Sequence, residues 1–276
     1  MVYLTSVTND RIKDIAKLMK SSKRRRERGV FIAEGLRLVS EVPADRLEEL
    51  YIEETFYEKQ EAADGFDERL KALMEVAEEK GMCFKISDTV MNKLSDTETP
   101  QGVLAVVKAE AADIESLTGQ DATADGEKPF IIVMDGLQDP GNMGTIIRTA
   151  EGAGVTGILI SNDSVDPYSP KVVRSTMGAV FRMKICVSRD LAGDIGKLKE
   201  QGITVFGTHL SGKEFYDEDF TGAAAFLIGN EGRGLKDEVA ETADRLLRIP
   251  MKGNVESLNA GVSAAVVMYE VLRQRR

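Results

Sequence analysis

The sequence predicts an α/β protein of two domains, because short apolar strands alternate with amphipathic helices along both halves of the chain. The strands of the second half are continuous apolar runs such as residues 130–134, as strands buried on both faces require. Between the halves, residues 109–128 have few large apolar side chains and many Ala, Asp, Glu and Thr, which is typical of a linker. The 276 residues suffice for two ordinary domains. We therefore place the domains at residues 1–108 and 129–276, the second with a mainly parallel sheet.

The first domain is predicted to be a small α/β sandwich. Asn9 is a good N-cap for a helix whose apolar face includes Ile12, Ile15 and Leu18. The basic residues that follow are expected to form the frayed end of this helix or a loop. Further strands are predicted at residues 30–33, 50–52, 82–86 and 102–107, and helices at residues 34–42, 67–80 and 88–94.

Polar, glycine-rich loops follow three strands of the second domain. The strand at residues 130–134 leads through such a loop to a helix, for which Asn142 is the expected cap. Later strands lead into a turn at residues 230–234 and into a loop before a C-terminal helix at residues 257–273. Because open parallel sheets bind ligands at the carboxyl ends of their strands, these loops are expected to build one site. The other strands are predicted at residues 158–160, 180–187, 204–208, 224–228 and 246–249, and helices within residues 166–178 and 192–201.

Composition excludes several functional classes. Hydrophobic residues are 42% and charged residues 30%, which is the profile of a soluble globular protein. No apolar run approaches the ~20 residues of a membrane span and the start of the chain lacks a signal-peptide core, so we expect a cytoplasmic protein with no membrane partner. Cys83 and Cys186 are expected to be free thiols. His209 is the single histidine, and the sequence offers no metal site.

Positive charge is concentrated at the start of an acidic chain. The net charge is −10, but residues 1–30 carry nine basic groups against three acidic ones, a local charge of +6. Such a segment is typical of a phosphate-binding surface, and a solvated helix end is the alternative interpretation. The residues expected to contact nucleic acid, here called the basic arm, are Lys23, Arg24, Arg25, Arg26 and Arg28.

One motif suggests a dinucleotide site and is set aside. Gly152, Gly154 and Gly157 match the pattern G-x-G-x-x-G, but that pattern must follow a strand and open a helix. Here it follows a helix and precedes a strand. The glycines are better interpreted as a helix C-cap and turn.

Three segments of the second domain resemble the motifs of a known family. Singly, each has an ordinary explanation as a tight turn or as helix capping by Ser257 and Asn259, but three together exceed what capping explains. The segments NMGTIIRTAEGAG, LIGNEGRGL and IPMKGNVESLNAGVSAAVVMYE resemble the three motifs of the SpoU/TrmH family of RNA 2′-O-ribose methyltransferases, within the SPOUT class. The first domain resembles that family's L30e-like substrate-binding module, through FIAEGLRLV and TETPQGVLAV.

The resemblance implies a C-terminal trefoil knot, S-adenosylmethionine as cofactor, no metal, and a homodimer formed through the C-terminal domain. The active site would borrow residues from both subunits. The positions that match the family's cofactor contacts are Gly229, Ile249, Leu258 and Thr208. The positions that match its catalytic and substrate-side residues are Asn142, Arg148, Glu231, Ser257 and Asn259.

We therefore expect methyl transfer from S-adenosylmethionine to a ribose 2′-hydroxyl of structured RNA. The resemblance to family members with an L30e-like module implies 23S rRNA as the substrate, and a tRNA 2′-O-methyltransferase is an alternative. A non-catalytic RNA-binding or ribosome-assembly factor is another, and a nicotinamide-dependent dehydrogenase is a weaker one. Arg148 is either the general base or, because a guanidinium is normally locked in its charged form, an electrostatic group that binds a phosphate and stabilises the alkoxide.

Overall fold

The computed structural model describes residues 1–63, 65, 67–118, 128–255 and 257–276, and divides them into two compact units. The first unit contains Met1–Ala109 and Asp166–Phe181, and the second contains Glu110–Val165 and Arg182–Arg276. None of the helices in these ranges combines the length and hydropathy that crossing a membrane requires.

The segment Asp166–Phe181 belongs to the first unit, whereas the sequence had suggested one continuous second domain. Its aromatic side chains supply the reason. Tyr168 and Phe181 stack on Phe31 with ring centroids 5.0 and 5.9 Å apart, and Phe31 is fully buried. Stacked aromatic pairs add to the free energy gained by burial, so the segment packs with these partners rather than with its sequence neighbours.

A mixed sheet forms the centre of the first unit. Its strands are β1 (Val2–Leu4), β2 (Val30–Glu34), β3 (Leu47–Glu53), β4 (Cys83–Ile86) and β5 (Val103–Lys108). They lie in the order β1-β4-β3-β5-β2, with β4 parallel to its neighbours and β5 antiparallel to its own. The edge strand β1 was not predicted from the sequence. The helices are α1 (Asp10–Lys20), α2 (Ser22–Arg28), α3 (Leu36–Val39), α4 (Glu54–Ala62), α5 (Glu68–Glu79) and α6 (Asp88–Leu94).

The basic arm is a helix, α2, and the expected frayed end or loop is wrong. Ser21 caps it by accepting the backbone N–H of Arg24, and Gly29 ends it with a left-handed φ of 67°. The predicted helix at residues 34–42 is reduced to α3, because Glu34 is still in β2 and Gly35 turns the chain with φ 99°.

The second unit is built on a parallel sheet, as predicted. In the described part of the chain every pairing between its named strands is parallel, in the order β11-β9-β10-β6-β7-β8. The strands are β6 (Phe130–Met134), β7 (Gly157–Ser161), β8 (Ile185–Ser188), β9 (Thr204–Glu214), β10 (Ala224–Ile228) and β11 (Arg245–Arg248). The helices along this half of the chain are α7 (Pro140–Gly152), α8 (Pro170–Ser175, in the first unit), α9 (Leu191–Glu200), α10 (Asp237–Ala240) and α11 (Ala260–Gln274).

Part of the predicted linker packs into the second unit. Ile114 and Leu117 are buried in its core and Ala112 packs against it, and these residues anchor residues 110–118. Residues 119–127 of that linker lie outside the described residues.

The set-aside glycine motif lies where the sequence placed it, at the end of α7 and the start of β7, with Gly154 in a left-handed turn at φ 76°. Cys83 and Cys186 are buried free thiols, as expected. Burial raises the pKa of Cys186 to about 11, so its reactive thiolate form is scarce at neutral pH.

Candidate active site

The loops after β6 and β10 lie side by side, because these two strands are neighbours in the sheet. From β6 the chain continues to β7 and β8 on one side, whereas β9, β10 and β11 lie on the other. The order of the strands therefore reverses between β6 and β10. Open α/β sheets bind ligands at such a switch point, outside the carboxyl ends of the strands.

A pocket of about 330 Å³ opens beside these loops, within the second unit. Its volume falls in the ~300–1,000 Å³ range of small-molecule sites. It is lined by residues within β9, by the ends of β10 and β11 with the loops that follow them, and by the start of α11. All four residues that match the family's cofactor contacts line it, together with two from the catalytic set. These residues are Thr208, Gly229, Ile249 and Leu258, and then Glu231 and Ser257.

Gly229 marks a place where two stretches of backbone come too close for any side chain. A Cβ at this position would lie 2.2 Å from the carbonyl carbon of Gly234. Asn230 and Gly234 close the turn, each donating its backbone N–H to the other's carbonyl at 2.9 Å. The tight turn keeps the backbone of this loop at the pocket wall, where a ligand can reach it.

One hydrogen-bonded chain joins the three sequence motifs. Asn142 Nδ2 donates to Glu231 Oε1 at 2.9 Å, and Asn259 Nδ2 donates to Asn142 Oδ1 at 2.9 Å. Asn259 Oδ1 in turn accepts the backbone N–H of Val262, so it caps α11. The carboxylate at one end only accepts and the helix N–H at the other only donates, which fixes the orientation of both amides.

Asn142 was expected to cap α7, and that expectation is wrong. Asp139 is the cap, and its Oδ1 accepts the backbone N–H of Asn142 at 2.8 Å. Pro140 occupies the first turn, where its missing N–H costs nothing. The side chain of Asn142 is therefore available to join Glu231 and Asn259.

The environment of Glu231 keeps it a carboxylate. Burial acts to raise its pKa, but hydrogen bonds from the Asn142 side chain and from backbone amides outweigh burial and hold the pKa below its ordinary value. Two of those amides are the N–H groups of Gln138 and Asp139, each 3.4 Å from a carboxylate oxygen. Glu231 is thus tied to the loop that precedes α7 as well as to Asn142.

A buried carboxylate also connects the loop after β6 to the loop after β10. Asp135 is 1% exposed, and its Oδ2 accepts the backbone N–H of Lys236 at 2.8 Å. The Lys236 Nζ lies 3.2 Å from Asp135 Oδ1 and 2.8 Å from Asp163 Oδ2. The hydrogen bond to Asp163 is the main cause of the raised pKa of Lys236, so the ammonium stays charged. Asn230 Nδ2 adds a bond to the carbonyl of Gly136 at 2.7 Å. We refer to Asp135, Asp163 and Lys236 as the loop clamp.

Replacing Lys236 by Met is expected to weaken the binding of S-adenosylmethionine about tenfold, which corresponds to about 1.4 kcal/mol. The substitution leaves Asp135 buried without its cation, so the loop that lines the pocket loses its fixed position. The change in Kd is measured by calorimetry. Lys236→Arg retains a cation and is the matched control, expected to recover most of the affinity. Equal affinity in all three proteins would contradict a role of the clamp in shaping the pocket.

Arg148 is exposed on α7 and lies outside the chain of amides. Among the described residues no side chain makes a hydrogen bond or ion pair with it, whereas Asn142, Glu231 and Asn259 are all engaged. An arginine in this state retains all of its donors for a ligand. The structure therefore links three of the predicted catalytic residues, Asn142, Glu231 and Asn259, in one cluster. Ser257 lines the pocket, and Arg148 is a separate guanidinium on α7.

The basic arm is largely occupied by partners within the first unit. Arg25 is 5% exposed, its Nη2 lies 2.5 Å from Asp166 Oδ2, and its Nη1 donates to the carbonyl of Leu18. Arg24 and Arg28 both pair with Asp14. Arg25 therefore has a structural role, and we no longer interpret it as a contact to nucleic acid. The exposed members of the arm are Lys23, Arg24 and Arg26.

Sequence reasoning missed the loop clamp and part of the pocket lining. The sequence assigns no role to Asp135 or to Lys236. The signal for Asp135 was its place directly after a buried apolar run, since a carboxylate there must find a partner. His209, Leu210 and Met251 also line the pocket, and each follows closely on a residue that the sequence had placed there.

Comparison with known families identifies the second unit. The model of the SpoU rRNA methylase family matches residues 129–269, which is about half of the chain. The chain belongs to the SpoU rRNA methylase family. The model of the MRM3-like substrate-binding domain matches residues 9–105. The predicted family is confirmed, and with it the α/β fold and a methyltransferase activity that uses S-adenosylmethionine.

One relative of this SpoU family member aligns over nearly the whole chain, and another over about three quarters of it. It is 30% identical to the 23S rRNA (guanosine(2553)-2′-O)-methyltransferase RlmP of Bacillus subtilis (strain 168), over 98% of this chain and 99% of the relative. It is 33% identical to the 23S rRNA (guanosine-2′-O-)-methyltransferase RlmB of Shewanella oneidensis, over 76% and 86% of the two chains. Each is a protein to which this chain is similar.

Solved structures also align with this SpoU chain over nearly its whole length. An AdoMet-bound rRNA methyltransferase from Sinorhizobium meliloti aligns with a TM-score of 0.81 at 28% identity, covering 98% of this chain and 97% of the other. The SpoU methyltransferase AviRb from Streptomyces viridochromogenes aligns with a TM-score of 0.80 at 26% identity, covering 97% and 98%.

The pocket residues fit S-adenosylmethionine. The wall provides backbone amides and carbonyls of the turn that begins at Gly229, which suit the polar groups of a nucleoside. Leu247, Ile249 and Leu258 add apolar surface for a ring. Within the described ranges, no group of His, Cys, Asp and Glu has an arrangement that would hold a metal ion.

Proposed function

We propose that this protein transfers a methyl group from S-adenosylmethionine to a ribose 2′-hydroxyl of 23S rRNA. The observation that carries the proposal is the hydrogen-bonded chain Glu231–Asn142–Asn259, which brings three distant motifs together beside the pocket. Relatives of similar length are named 23S rRNA 2′-O-methyltransferases, which supports this RNA as the substrate class.

The proposed roles follow from what each residue touches. Gly229, Ile249, Leu258 and Thr208 line the pocket and would hold the cofactor, with the Thr208 hydroxyl tied to the carbonyl of Leu227 at 2.9 Å. When bound, S-adenosylmethionine supplies an electrophilic methyl group. Since methyl transfer needs an in-line approach of the two reacting atoms, much of the rate comes from positioning.

The substrate side is assigned to the residues beside the pocket. Glu231, Asn142 and Asn259 form a rigid polar wall that would orient the ribose, and Ser257 adds a hydroxyl at the pocket rim. Arg148 would bind the adjacent phosphate and stabilise the alkoxide that develops as the 2′-hydroxyl loses its proton. The proton would pass to a phosphate or to water, because a guanidinium rarely gives up its own.

Mass mapping of ribose methylation tests the function. The rRNA and tRNA of cells with and without the gene are digested and compared, and one 2′-O-methyl group in 23S rRNA is expected to disappear with the gene. A lost tRNA methyl group would replace rRNA with the tRNA alternative. If no methyl group changes and calorimetry detects no binding of S-adenosylmethionine, the protein is a non-catalytic RNA-binding factor.

We also propose a homodimer formed through α11. Val262 and Tyr269 are 49% and 53% exposed, and they lie seven residues apart on one helix face. Ala265 and Val266 lie between them and are half-buried. An exposed apolar stripe of this length is typical of a protein interface, and a second copy presents the same surface by symmetry. The trefoil knot and the cytoplasmic location remain predictions.

Placing charge in this stripe is expected to produce monomers. In Val262→Lys/Tyr269→Lys, the interface would have to bury two ammonium groups without partners, which costs several kcal/mol. Sedimentation equilibrium measures the mass of the particle, and methyl transfer should fall with it because the site needs both subunits. Val187→Lys changes an exposed valine of the same unit and is the control. A dimer that survives the double substitution would place the interface elsewhere.

Replacing Lys23 and Arg26 by Gln is expected to weaken RNA binding and to flatten its salt dependence. Both side chains are exposed, and the structure gives Arg26 no partner within the described residues. Loss of two phosphate contacts reduces the slope of log K against log salt by about 1.4–1.8. The slope is measured by filter binding at several salt concentrations. Lys71→Gln/Lys80→Gln removes two exposed charges elsewhere in the unit and serves as the control. An unchanged slope would make the arm a solvated surface.

A further inference from the structure

Three basic side chains line the cofactor pocket within the described part of the chain, and two of them already have partners. The His209 ring contacts Ser211, whose hydroxyl oxygen lies 2.7 Å from Nδ1. Arg248 Nη2 lies 3.6 Å from Glu214 Oε1. Arg233 is the third, and its exposed guanidinium makes no hydrogen bond or ion pair with any described residue. The described pocket wall therefore carries a cation that is available to a ligand.

The turn that carries Arg233 holds its backbone at the pocket wall. Asn230 Oδ1 accepts the backbone N–H of Gly232 at 3.0 Å and that of Arg233 at 3.1 Å. The backbone hydrogen bonds between Asn230 and Gly234 close the same turn. Because the backbone of Arg233 is already fixed, only its side chain has to become ordered when a ligand binds. This lowers the entropic cost of pairing with an anion.

Glu231 does not neutralise this guanidinium, although it lies two residues away in the same turn. Within the described ranges it is the only acidic residue of the pocket lining. Its carboxylate accepts hydrogen bonds from Asn142 Nδ2 at 2.9 Å and from two backbone N–H groups of the loop before α7. Since no carboxylate of the described lining pairs with Arg233, the charge of its guanidinium favours an anionic group on the ligand.

S-adenosylmethionine carries a single anionic group. At neutral pH its sulfonium and its amino group are positive, and only the carboxylate of its methionine part is negative. A guanidinium presents its N–H donors in a planar fork that matches a carboxylate with two parallel hydrogen bonds. We propose that Arg233 binds this carboxylate. The inference rests on the proposed function, which places the cofactor in this pocket.

The apolar residues of the lining come from other elements than Arg233. Leu247, Ile249 and Leu258, which suit the adenine ring, belong to β11 and to the loop between β11 and α11. Arg233 belongs to the turn after β10, so the ring and the carboxylate have separate walls. An RNA phosphate is the other anion that an exposed arginine could bind. The cofactor is favoured because Arg233 lines the pocket, whereas Arg148 lies outside it.

Calorimetry with S-adenosylmethionine and decarboxylated S-adenosylmethionine tests the proposal on the full-length protein. The two compounds differ only in the carboxylate, and the unaltered protein is expected to bind the first about tenfold more tightly, since hydrogen bonds between charged groups are strong. Arg233→Met should weaken the binding of S-adenosylmethionine about tenfold and should not weaken that of the decarboxylated compound. Arg233→Lys keeps the charge without the fork and should recover part of the affinity. Arg189→Met removes an exposed arginine outside the pocket lining and should change neither Kd.

Unchanged binding of S-adenosylmethionine by Arg233→Met would overturn the proposal. An equal loss of affinity for both compounds would also overturn it, because it would show that the substitution distorts the pocket. Unchanged cofactor binding together with weaker RNA binding and a flatter salt dependence would assign Arg233 to an RNA phosphate instead. In each of these cases the proposed function stands, because the unaltered protein still binds its cofactor. If the unaltered protein binds neither compound, the proposed function fails, and this proposal fails with it.

Discussion

Arg148→Ala is expected to reduce methyl transfer to rRNA by at least about 10²-fold while the Kd for S-adenosylmethionine stays unchanged. The guanidinium is exposed on α7, lies outside the cofactor pocket, and has no partner within the described residues. Its donors are therefore available to RNA and to the developing alkoxide. Steady-state kinetics with saturating cofactor measures the loss, and calorimetry measures the Kd.

Two further variants make the Arg148 prediction specific. Arg148→Lys keeps the charge without the planar fork, and should restore only part of the activity. Arg182→Ala removes an exposed arginine of the same unit that pairs with Glu151 at 2.8 Å, and should leave the rate unchanged. Turnover that persists in Arg148→Ala would remove this residue from the mechanism.

Arg25→Met is expected to lower the free energy of unfolding by about 3–5 kcal/mol, because it leaves the Asp166 carboxylate without its cation in a mostly buried position. The Arg25 guanidinium also donates to the carbonyls of Leu18 and Met19, which end α1. Both partners of the ion pair lie in the first unit, so the loss is local to it. Urea unfolding followed by circular dichroism measures the difference.

The neighbouring residue supplies a matched control. Arg26 lies on the same helix, and its side chain is exposed, so Arg26→Met should change the free energy of unfolding by less than about 0.5 kcal/mol. The double variant Arg25→Met/Asp166→Asn should recover part of the stability, since it removes the unpaired charge. Equal stability of the two single variants would show that the Arg25 ion pair contributes nothing.

The sequence was most informative where local pattern decides structure. The continuous apolar run at residues 130–134 identified a buried parallel strand. The glycine motif that begins at Gly152 follows a helix and precedes a strand, and this order excluded a dinucleotide site. The loops that follow β6, β10 and β11 could be assigned to one edge of the sheet because parallel strands share their direction. For the basic arm, positive charge alone predicted that all five residues contact RNA. In the fold Arg25 is buried, whereas Lys23, Arg24 and Arg26 are exposed.

What the sequence by itself determined was the order of most strands and helices, the three polar loops and the family to which they belong. Only the tertiary structure decided which charged side chains form ion pairs. Arg25 is buried against Asp166, and Lys236 pairs with Asp135 and Asp163. Arg148 has no partner among the described residues. Secondary structure depends on periodicity between near neighbours. The state of these charged side chains depends instead on groups between 73 and 141 positions away, which come together only when the chain has folded.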